Sequence, residues 1–404
     1  MNPQDHTTAP FGAKVPSSDN NRPPAPLAGS APPPLIDILL PVKERFSEAN
    51  AGAISGVVHD LVTSSQTPGC FRVFGNPVNT PFEGIDFAGL APRRAWLAGR
   101  NIGFANAYLH YLKRIDRPDL VEVHGRCHVA THIASHRPDL AVALYLHNDP
   151  RDMKGSTTIA ERESLLTSMK VVICVSDYIR GCFLDGLTVT PDLASRVKTV
   201  RNGVDRWLKA PARKTRTVLL VGRVVPEKGV LECATALASV LMDKPDWNVV
   251  IAGARRFENA ARDSYETAVA KTLEPLGPRA QMKGFLPQSE IRRLQQEAEV
   301  IVCPSQWQEP MGKTVLEALA AGSALLTTRR GGIPETAEGR AHIVDDPTVD
   351  NLTSSLERLV TDDDYRATLQ RKAWADFPFT AQKMADDADA VRAAAIHGAT
   401  NRRP

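Results

Sequence analysis

Val300-Ile301-Val302-Cys303-Pro304 is followed, after a short polar stretch, by Gln308-Glu309-Pro310-Met311-Gly312-Lys313-Thr314-Val315-Leu316-Glu317-Ala318-Leu319-Ala320-Ala321-Gly322. The first run is apolar without alternation, the pattern of a parallel strand buried on both faces. The second carries helix-forming residues up to Gly322, a natural C-terminal stop. Glu309 therefore falls in a strand-to-helix loop and Glu317 about a turn inside the helix. Gly312 lets the backbone approach a ligand closely, and the free N–H groups of the first helical turn attract anions or hydroxyl oxygens. Two carboxylates with bare amides between them suit a ligand that joins many hydroxyls to phosphate, as a nucleotide sugar does.

The same strand-then-helix order recurs outward from this segment. Towards the N-terminus, strands are predicted at Leu35–Leu40, Cys70–Phe74, Leu120–Val123, Ala141–Leu146 and Val171–Val175. Helical stretches at Arg93–Arg114 and Thr157–Met169 separate several of them. A basic, proline-containing stretch without apolar periodicity at 209–216 reads as a linker. The pattern then restarts, with strands predicted at Thr217–Val221, Trp247–Ala252, Ala280–Met282, Val300–Pro304, Ala324–Thr328 and His342–Val344. Strands alternating with helices argue for doubly wound α/β domains. A chain of 404 residues exceeds what one core usually supports, so two are expected, at 35–208 and 217–378.

Composition narrows the function classes. The formal net charge is only +3 and charged residues are 24%, which gives no electrostatic case for a nucleic-acid partner. Six cysteines are scattered without paired spacing, and Cys174 and Cys303 lie inside apolar runs, where a reduced thiol behaves as a small hydrophobe. Residues 1–34 are rich in Pro, Ala, Ser and Asn, lack the apolar core of a secretory signal, and read as a disordered tail. No apolar run approaches the roughly 20 residues that span a bilayer, so the expectation is a cytoplasmic protein, with peripheral contact at the inner membrane face if it works on lipid.

A second chemical feature is the turn Gly222-Arg223-Val224-Val225-Pro226-Glu227-Lys228-Gly229, which leaves a strand and enters a helix. Arg223 and Lys228 can share two phosphates, and cations held there stabilise the charge that builds on a leaving diphosphate. That clamp makes a metal ion unnecessary. Taken alone, such a pair is more often a solvated basic turn.

Three segments together resemble the donor site of family 4 retaining glycosyltransferases. They are the Glu309–Gly322 stretch with Ala324–Thr328 and Gly331-Gly332-Ile333-Pro334-Glu335, the Gly222–Gly229 turn, and Val200-Arg201-Asn202-Gly203-Val204-Asp205 between the two halves. The resemblance implies the GT-B architecture, two Rossmann-like domains facing a cleft, with the last helical stretch, Ala381–Ala395 within 379–404, crossing back to the first. It implies that Glu317 holds the ribose hydroxyls, that Glu309 meets the transferred sugar, and that amides beside Pro310, Met311, Gly312, Lys313 and Thr314 hold oxygens. His147, after Leu144-Tyr145-Leu146, would reach the sugar from the opposite domain, with His124 a second candidate. The base would meet Gly284, Phe285 and Leu286 and the loop after Gly253, where Arg255 and Arg256 could stack on it or hold phosphate. Acceptor contacts would come from 43–52, including Asn50 and Gly52, although Ala51-Gly52-Ala53 replaces the family's frequent Gly-Gly pair. Lys313 stands where the family commonly has an apolar residue; it either adds a phosphate or acceptor contact or points to solvent.

The implied activity is transfer of a hexose from a UDP- or GDP-linked sugar to a glycan or lipid-linked glycan. Leu146-His147-Asn148-Asp149-Pro150 and Trp307-Gln308-Glu309-Pro310 look most like bacterial members that build surface polysaccharide or lipopolysaccharide. Two alternatives share these features: a nucleotide-sugar epimerase of the same architecture, and a non-catalytic nucleotide-sugar-binding protein. His124, His128, His132 and His136 recur at i, i+4, a spacing able to ligate zinc on a helix, but no metalloprotease Glu or Cys pair accompanies them. Asp362-Asp363-Asp364 suits the N-terminus of a helix, where acidic residues complement the dipole. No phosphate-loop or nucleophile-turn motif supports a kinase, ATPase or hydrolase.

Overall fold

The computed structural model describes residues 33–48, 51–93, 95–255 and 262–400. The Pro-rich tail of 1–32, Asn50 and Arg256 lie outside the described residues. Seven strands form the first sheet: β1 (Ile36–Leu39), β2 (Phe71–Gly75), β3 (Asp86–Gly89), β4 (Leu120–His124), β5 (Val142–Leu146), β6 (Val171–Cys174) and β7 (Val197–Thr199). Their order is β3-β2-β1-β4-β5-β6-β7, all parallel. The helices between them are α1 (Ala53–Thr63), α2 (Ala95–Tyr111), α3 (Cys127–His136), α4 (Ile159–Ser168), α5 (Asp177–Leu184) and the short α6 (Pro191–Ala194).

The second sheet has six parallel strands: β8 (Thr215–Val221), β9 (Asn248–Ala252), β10 (Ala280–Gly284), β11 (Ala298–Cys303), β12 (Ala324–Thr328) and β13 (His342–Val344). Their order is β10-β9-β8-β11-β12-β13. The accompanying helices are α7 (Val230–Leu241), α8 (Ser264–Leu273), α9 (Gln288–Glu297), α10 (Lys313–Ala320), α11 (Pro334–Ala337), α12 (Val349–Thr361), α13 (Asp363–Ala375) and α14 (Ala381–Thr400). Two doubly wound α/β halves follow, because strands covered on both faces must be apolar throughout. β5, β6 and β12 are buried along their whole length.

The strands legible as apolar runs appear within two residues of their predicted bounds. Two edge strands, β3 and β7, were not legible. β3 is half exposed and reads Asp-Phe-Ala-Gly, and β7 is three residues long, so neither has an apolar run to detect. β8 begins at Thr215, inside the span read as linker. The predicted helix Arg93–Arg114 is interrupted: Gly99 takes φ 80°, ψ 164°, and the α-helix ends at Tyr111 before a 3-10 turn at Leu112–Arg114. Asp362 caps α13 by accepting from Tyr365 N at 2.9 Å.

Contacts tie the halves together. Glu335, after β12, accepts from the amides of Asp177 (2.9 Å) and Tyr178 (2.8 Å) at the N-terminus of α5, and from Arg201 Nε (2.9 Å). A carboxylate there meets both free donors and the helix dipole. After α13 the chain returns to the first half, where α14 lies on α1. Ser65 Oγ donates to Asp389 (2.6 Å), and Arg392 forks onto Glu122 of β4 (2.8 and 2.9 Å). Among the described residues no helix is long and apolar enough to cross a membrane.

Candidate active site

Carboxyl ends of parallel strands are where α/β folds place ligands, because the loops there diverge around a crevice. In the second half β8, β9 and β10 end in turns that touch. Gly222 N donates to Ala252 O (3.0 Å) and Gly253 N to Gly284 O (2.7 Å). A Cβ on Gly253 would lie 1.9 Å from Gly222 O, so this seam admits no side chain. After β8 the chain makes a single 3-10 turn, Pro226–Lys228, and enters α7 through Gly229 at φ 64°. Gly229 presses on the end of β11, its missing Cβ falling 2.1 Å from Pro304 O.

That close approach carries Lys228 across to the loop after β11, where its Nζ forms an ion pair with Glu309. Glu309 also accepts from Ser305 Oγ (2.5 Å), and Lys228 Nζ lies 5.9 Å from the centre of the Trp307 ring. Downstream, Gly331 and Gly332 fold over Glu309, with Gly332 N donating to Glu309 O (2.7 Å). α10 then starts at Gly312 in the left-handed region (φ 75°, ψ 71°). The amides of Lys313 and Thr314 have no hydrogen-bond partner among the described residues, as the first N–H groups of a helix commonly do.

Gly222, Arg223, Lys228, Ser305, Glu309, Gly312, Lys313 and Thr314 share the wall of one cavity of about 230 Å³. Ala53, at the start of α1, is its contribution from the first half. Three cationic residues, one carboxylate and an open helix N-terminus converge on a space able to take an anion attached to hydroxyls.

Other candidates stand elsewhere. Glu317 lies one turn into α10, buried, accepting from Gln295 Nε2 (3.1 Å), and is not in the cavity wall. Pro310 and Met311 are also off the wall, Met311 being buried in the core shared with the first half. Gly284, at φ 65°, with Phe285 and Leu286 forms the neighbouring loop at the end of β10. Arg255 is committed to Asp263 (2.5 Å), the cap of α8, rather than turned to the cavity. Lys313 neither points freely to solvent nor stands alone: its Nζ is 3.9 Å from Asp60 of α1. Gly52 caps α1 beneath Glu44, whose carboxylate accepts from Ser55 N (3.0 Å).

The two histidines differ sharply. His147 follows β5 with 8% of its surface exposed, whereas His124, the last residue of β4, is fully buried. Glu122, Tyr145 and His147 pack against the His124 ring and seal it from solvent, so it does not stand open to the cleft as a second sugar contact. His124 precedes α3, which begins at Cys127, as its place at a strand end leads one to expect. Of the rest, His132 bonds Asn106 (2.8 Å) and His128 Nδ1 lies 3.2 Å from Lys154 O. Sequence reasoning missed Ser305, Gln295 and Asp60; Ser305, polar and directly after an apolar strand, carried the one local signal.

Residues 204–375 match the family model described as glycosyl transferases group 1. The chain is 28% identical to Bacillus subtilis YtcC over 279 residues, 63% of this chain and 67% of that protein. It is 32% identical to the spore coat protein SA of Bacillus subtilis over 249 residues, 55% of this chain and 63% of that protein. Among solved structures, Anabaena HepE in complex with UDP and glucose superposes with a TM-score of 0.69 at 16% identity, covering 89% of this chain and 99% of that one. The fold is GT-B, and residues 204–375 are similar to the glycosyl transferases of group 1.

Proposed function

We propose that the protein is a retaining hexosyltransferase. Its donor is a UDP- or GDP-linked hexose and its acceptor a hydroxyl of a glycan or lipid-linked glycan, in the building of surface polysaccharide or lipopolysaccharide. It acts in the cytoplasm, with peripheral contact at the inner membrane face. The observation that carries this reading is the convergence of Arg223, Lys228, Glu309 and the start of α10 on one cavity.

Lys228 and Glu309 neutralise each other across the cavity. Donor binding exchanges those partners: Lys228 turns to the diphosphate beside Arg223, and Glu309 is released to accept from sugar hydroxyls, steadied by Ser305. The amides of Lys313 and Thr314 take further oxygens, and Glu317 receives the ribose hydroxyls once the nucleotide reaches past the present wall. As the glycosidic bond breaks, charge grows on the leaving diphosphate, and the two preorganised cations favour that state over the ground state. A phosphate oxygen on the same face then takes the acceptor's proton, so neither a protein base nor a metal has a part in this scheme.

The test is to incubate the protein with UDP- and GDP-hexoses, with and without acceptor extract, and to measure nucleoside diphosphate release and the anomeric configuration of the product. Release that depends on acceptor, with an α product from an α donor, is the expected result. Release without any acceptor dependence points to an epimerase, and saturable binding without turnover to a sensor; either overturns the proposal.

A further inference from the structure

Between Asp86 and Asp116 the chain carries Arg93, Arg94, Arg100, Lys113 and Arg114 and no carboxylate, a local charge of +5 in a protein whose total is +3. Most of this stretch is α2 and the segment leading into it. Gly99 breaks the helix, and the residues before it double back. Arg93 N donates to Gly103 O (2.8 Å), and a Cβ on Gly103 would lie 3.2 Å from Ala95 Cα. The doubling holds Trp96 clear of the surface at 83% exposure, above every other large apolar side chain among the described residues. It also carries Arg93 back along the helix. There its charge is the first cause holding His110 below the ordinary histidine range, ahead of Arg114 and Lys113.

These cations lack acidic partners. Among the described residues Arg93, Arg100 and Lys113 make no ion pair, and Arg114 meets only His110 (3.3 Å). Surface arginines elsewhere are paired, Arg137 with Asp139 (2.7 Å) and Arg329 with Glu338 and Asp345 (2.6 Å each). Of the flanking acids, Asp119 accepts from the Leu35 amide (2.9 Å) and Asp86 lies in the field of Arg72. A single exposed Trp is ordinary on a protein surface. Set among unpaired arginines, it has the chemistry of a headgroup layer, where indole sits at the polar–apolar boundary and guanidinium meets phosphate. The place of the patch matters too. Asn101 and Phe104 of α2 line a small cavity with Leu39, the last residue of β1, and His124, the last of β4. That is the end of the sheet where α/β folds take ligands, so Trp96 and Arg100 stand on the ligand-facing rim of the first half.

We propose that Trp96, Arg93, Arg100, Lys113 and Arg114 form a docking surface for an anionic phospholipid membrane, with Trp96 seated among the headgroups and the cations on lipid phosphates. Docked this way, the rim of the first half faces the bilayer, and an acceptor carried on lipid reaches the cleft without leaving the membrane. Service to a lipid-borne acceptor rests on the transferase reading; the surface rests on charge and exposure.

The test floats the full chain, without donor or acceptor, on vesicles of phosphatidylcholine alone and of phosphatidylcholine mixed equally with phosphatidylglycerol. Expected is flotation with the mixed vesicles only, declining as salt is raised. Equal flotation with both, or with neither, overturns the proposal. Replacing Arg93 and Arg100 by Gln should weaken binding to mixed vesicles about fivefold for each charge removed. Trp96→Ala should weaken it roughly tenfold. Wild-type affinity in both variants overturns the proposal. The three replaced side chains are exposed, so the variants keep the fold. Brominated phosphatidylcholine in the mixed vesicles should quench the wild-type fluorescence, and Trp96→Phe should lose that quenching. Quenching that persists puts another of the five tryptophans at the lipid and refutes the role of Trp96. A dimer in sedimentation that Trp96→Ala disperses assigns the patch to a second copy and also overturns the proposal. A protein that floats but transfers no sugar defeats the functional reading alone; a working transferase indifferent to anionic vesicles defeats this surface alone.

Discussion

Lys228→Ala separates a phosphate clamp from a structural ion pair. Lys228 has 27% of its side chain exposed and Glu309 9%, so their pairing is only partly screened by solvent. If Lys228 turns to the leaving diphosphate, the variant loses a charge-assisted hydrogen bond where negative charge grows, an effect of about 1.5–3 kcal/mol. At 1.36 kcal/mol per decade this is a fall in kcat of roughly 10- to 150-fold. The effect on ground-state affinity is smaller, because the free enzyme also loses its Lys228–Glu309 pair, and KM should stay within about threefold. Steady-state nucleoside diphosphate release gives kcat and KM, and calorimetry with a non-reacting donor analogue gives the affinity. A double-mutant cycle with Glu309→Gln completes the test, since residues that exchange partners couple by about 0.5–3 kcal/mol. A kcat within twofold of wild type, or a raised KM at unchanged kcat, would refute the assignment of Lys228 to the transition state.

Three further outcomes follow from the same geometry. Glu317→Ala should weaken donor binding by about 1.5–3 kcal/mol, seen as a raised Kd in calorimetry, because ribose hydroxyls lose a charged acceptor; an unchanged Kd removes Glu317 from the site. Gly331→Ala should lower the melting temperature by several degrees: its φ is 57°, its Cβ would sit 2.1 Å from Glu309 O, and strain of this kind costs about 1–3 kcal/mol. A variant melting with wild type would show that the turn over Glu309 is pliable. Lys214, half-buried where it donates to Ala321 O (2.8 Å) and Ser323 Oγ (2.9 Å), is lowered by burial to about 8. Above that value the unfolded chain holds more protons than the folded one, so the folded state gains stability as pH rises, by up to about 1.4 kcal/mol per unit, until the ordinary lysine range. Wild type should therefore gain in melting temperature on Lys214→Met between pH 8 and 10, and parallel curves would contradict the burial of that ammonium.

Much of the site's scaffold was readable as local pattern. Val300–Cys303 announces a doubly buried strand, Gly312 a helix start in the left-handed region, and Gly229 a turn that tolerates no side chain. What local pattern left open was which distant partner several side chains would find. His124, at a strand end, was a second candidate to reach the sugar, and the fold seals it between Glu122 and His147. Arg255 was a candidate for the base or phosphate, and Asp263, supplied by the cap of α8, claims it. Lys313 left two alternatives open until α1 brought Asp60 within 3.9 Å.

By itself the sequence determined the class of fold, the order of strands and helices along the chain, and the residue types at the donor cavity, because periodicity and turn chemistry are set by neighbours a few positions apart. Only the tertiary structure decided which charges meet. Lys228 and Glu309 pair across 81 residues because β8 lies beside β11, and Arg392 reaches Glu122 across 270 because α14 returns to the first half. Those meetings depend on sheet order and helix docking, where the gain comes from burying apolar faces, and the polar partners are fixed as a consequence of that packing.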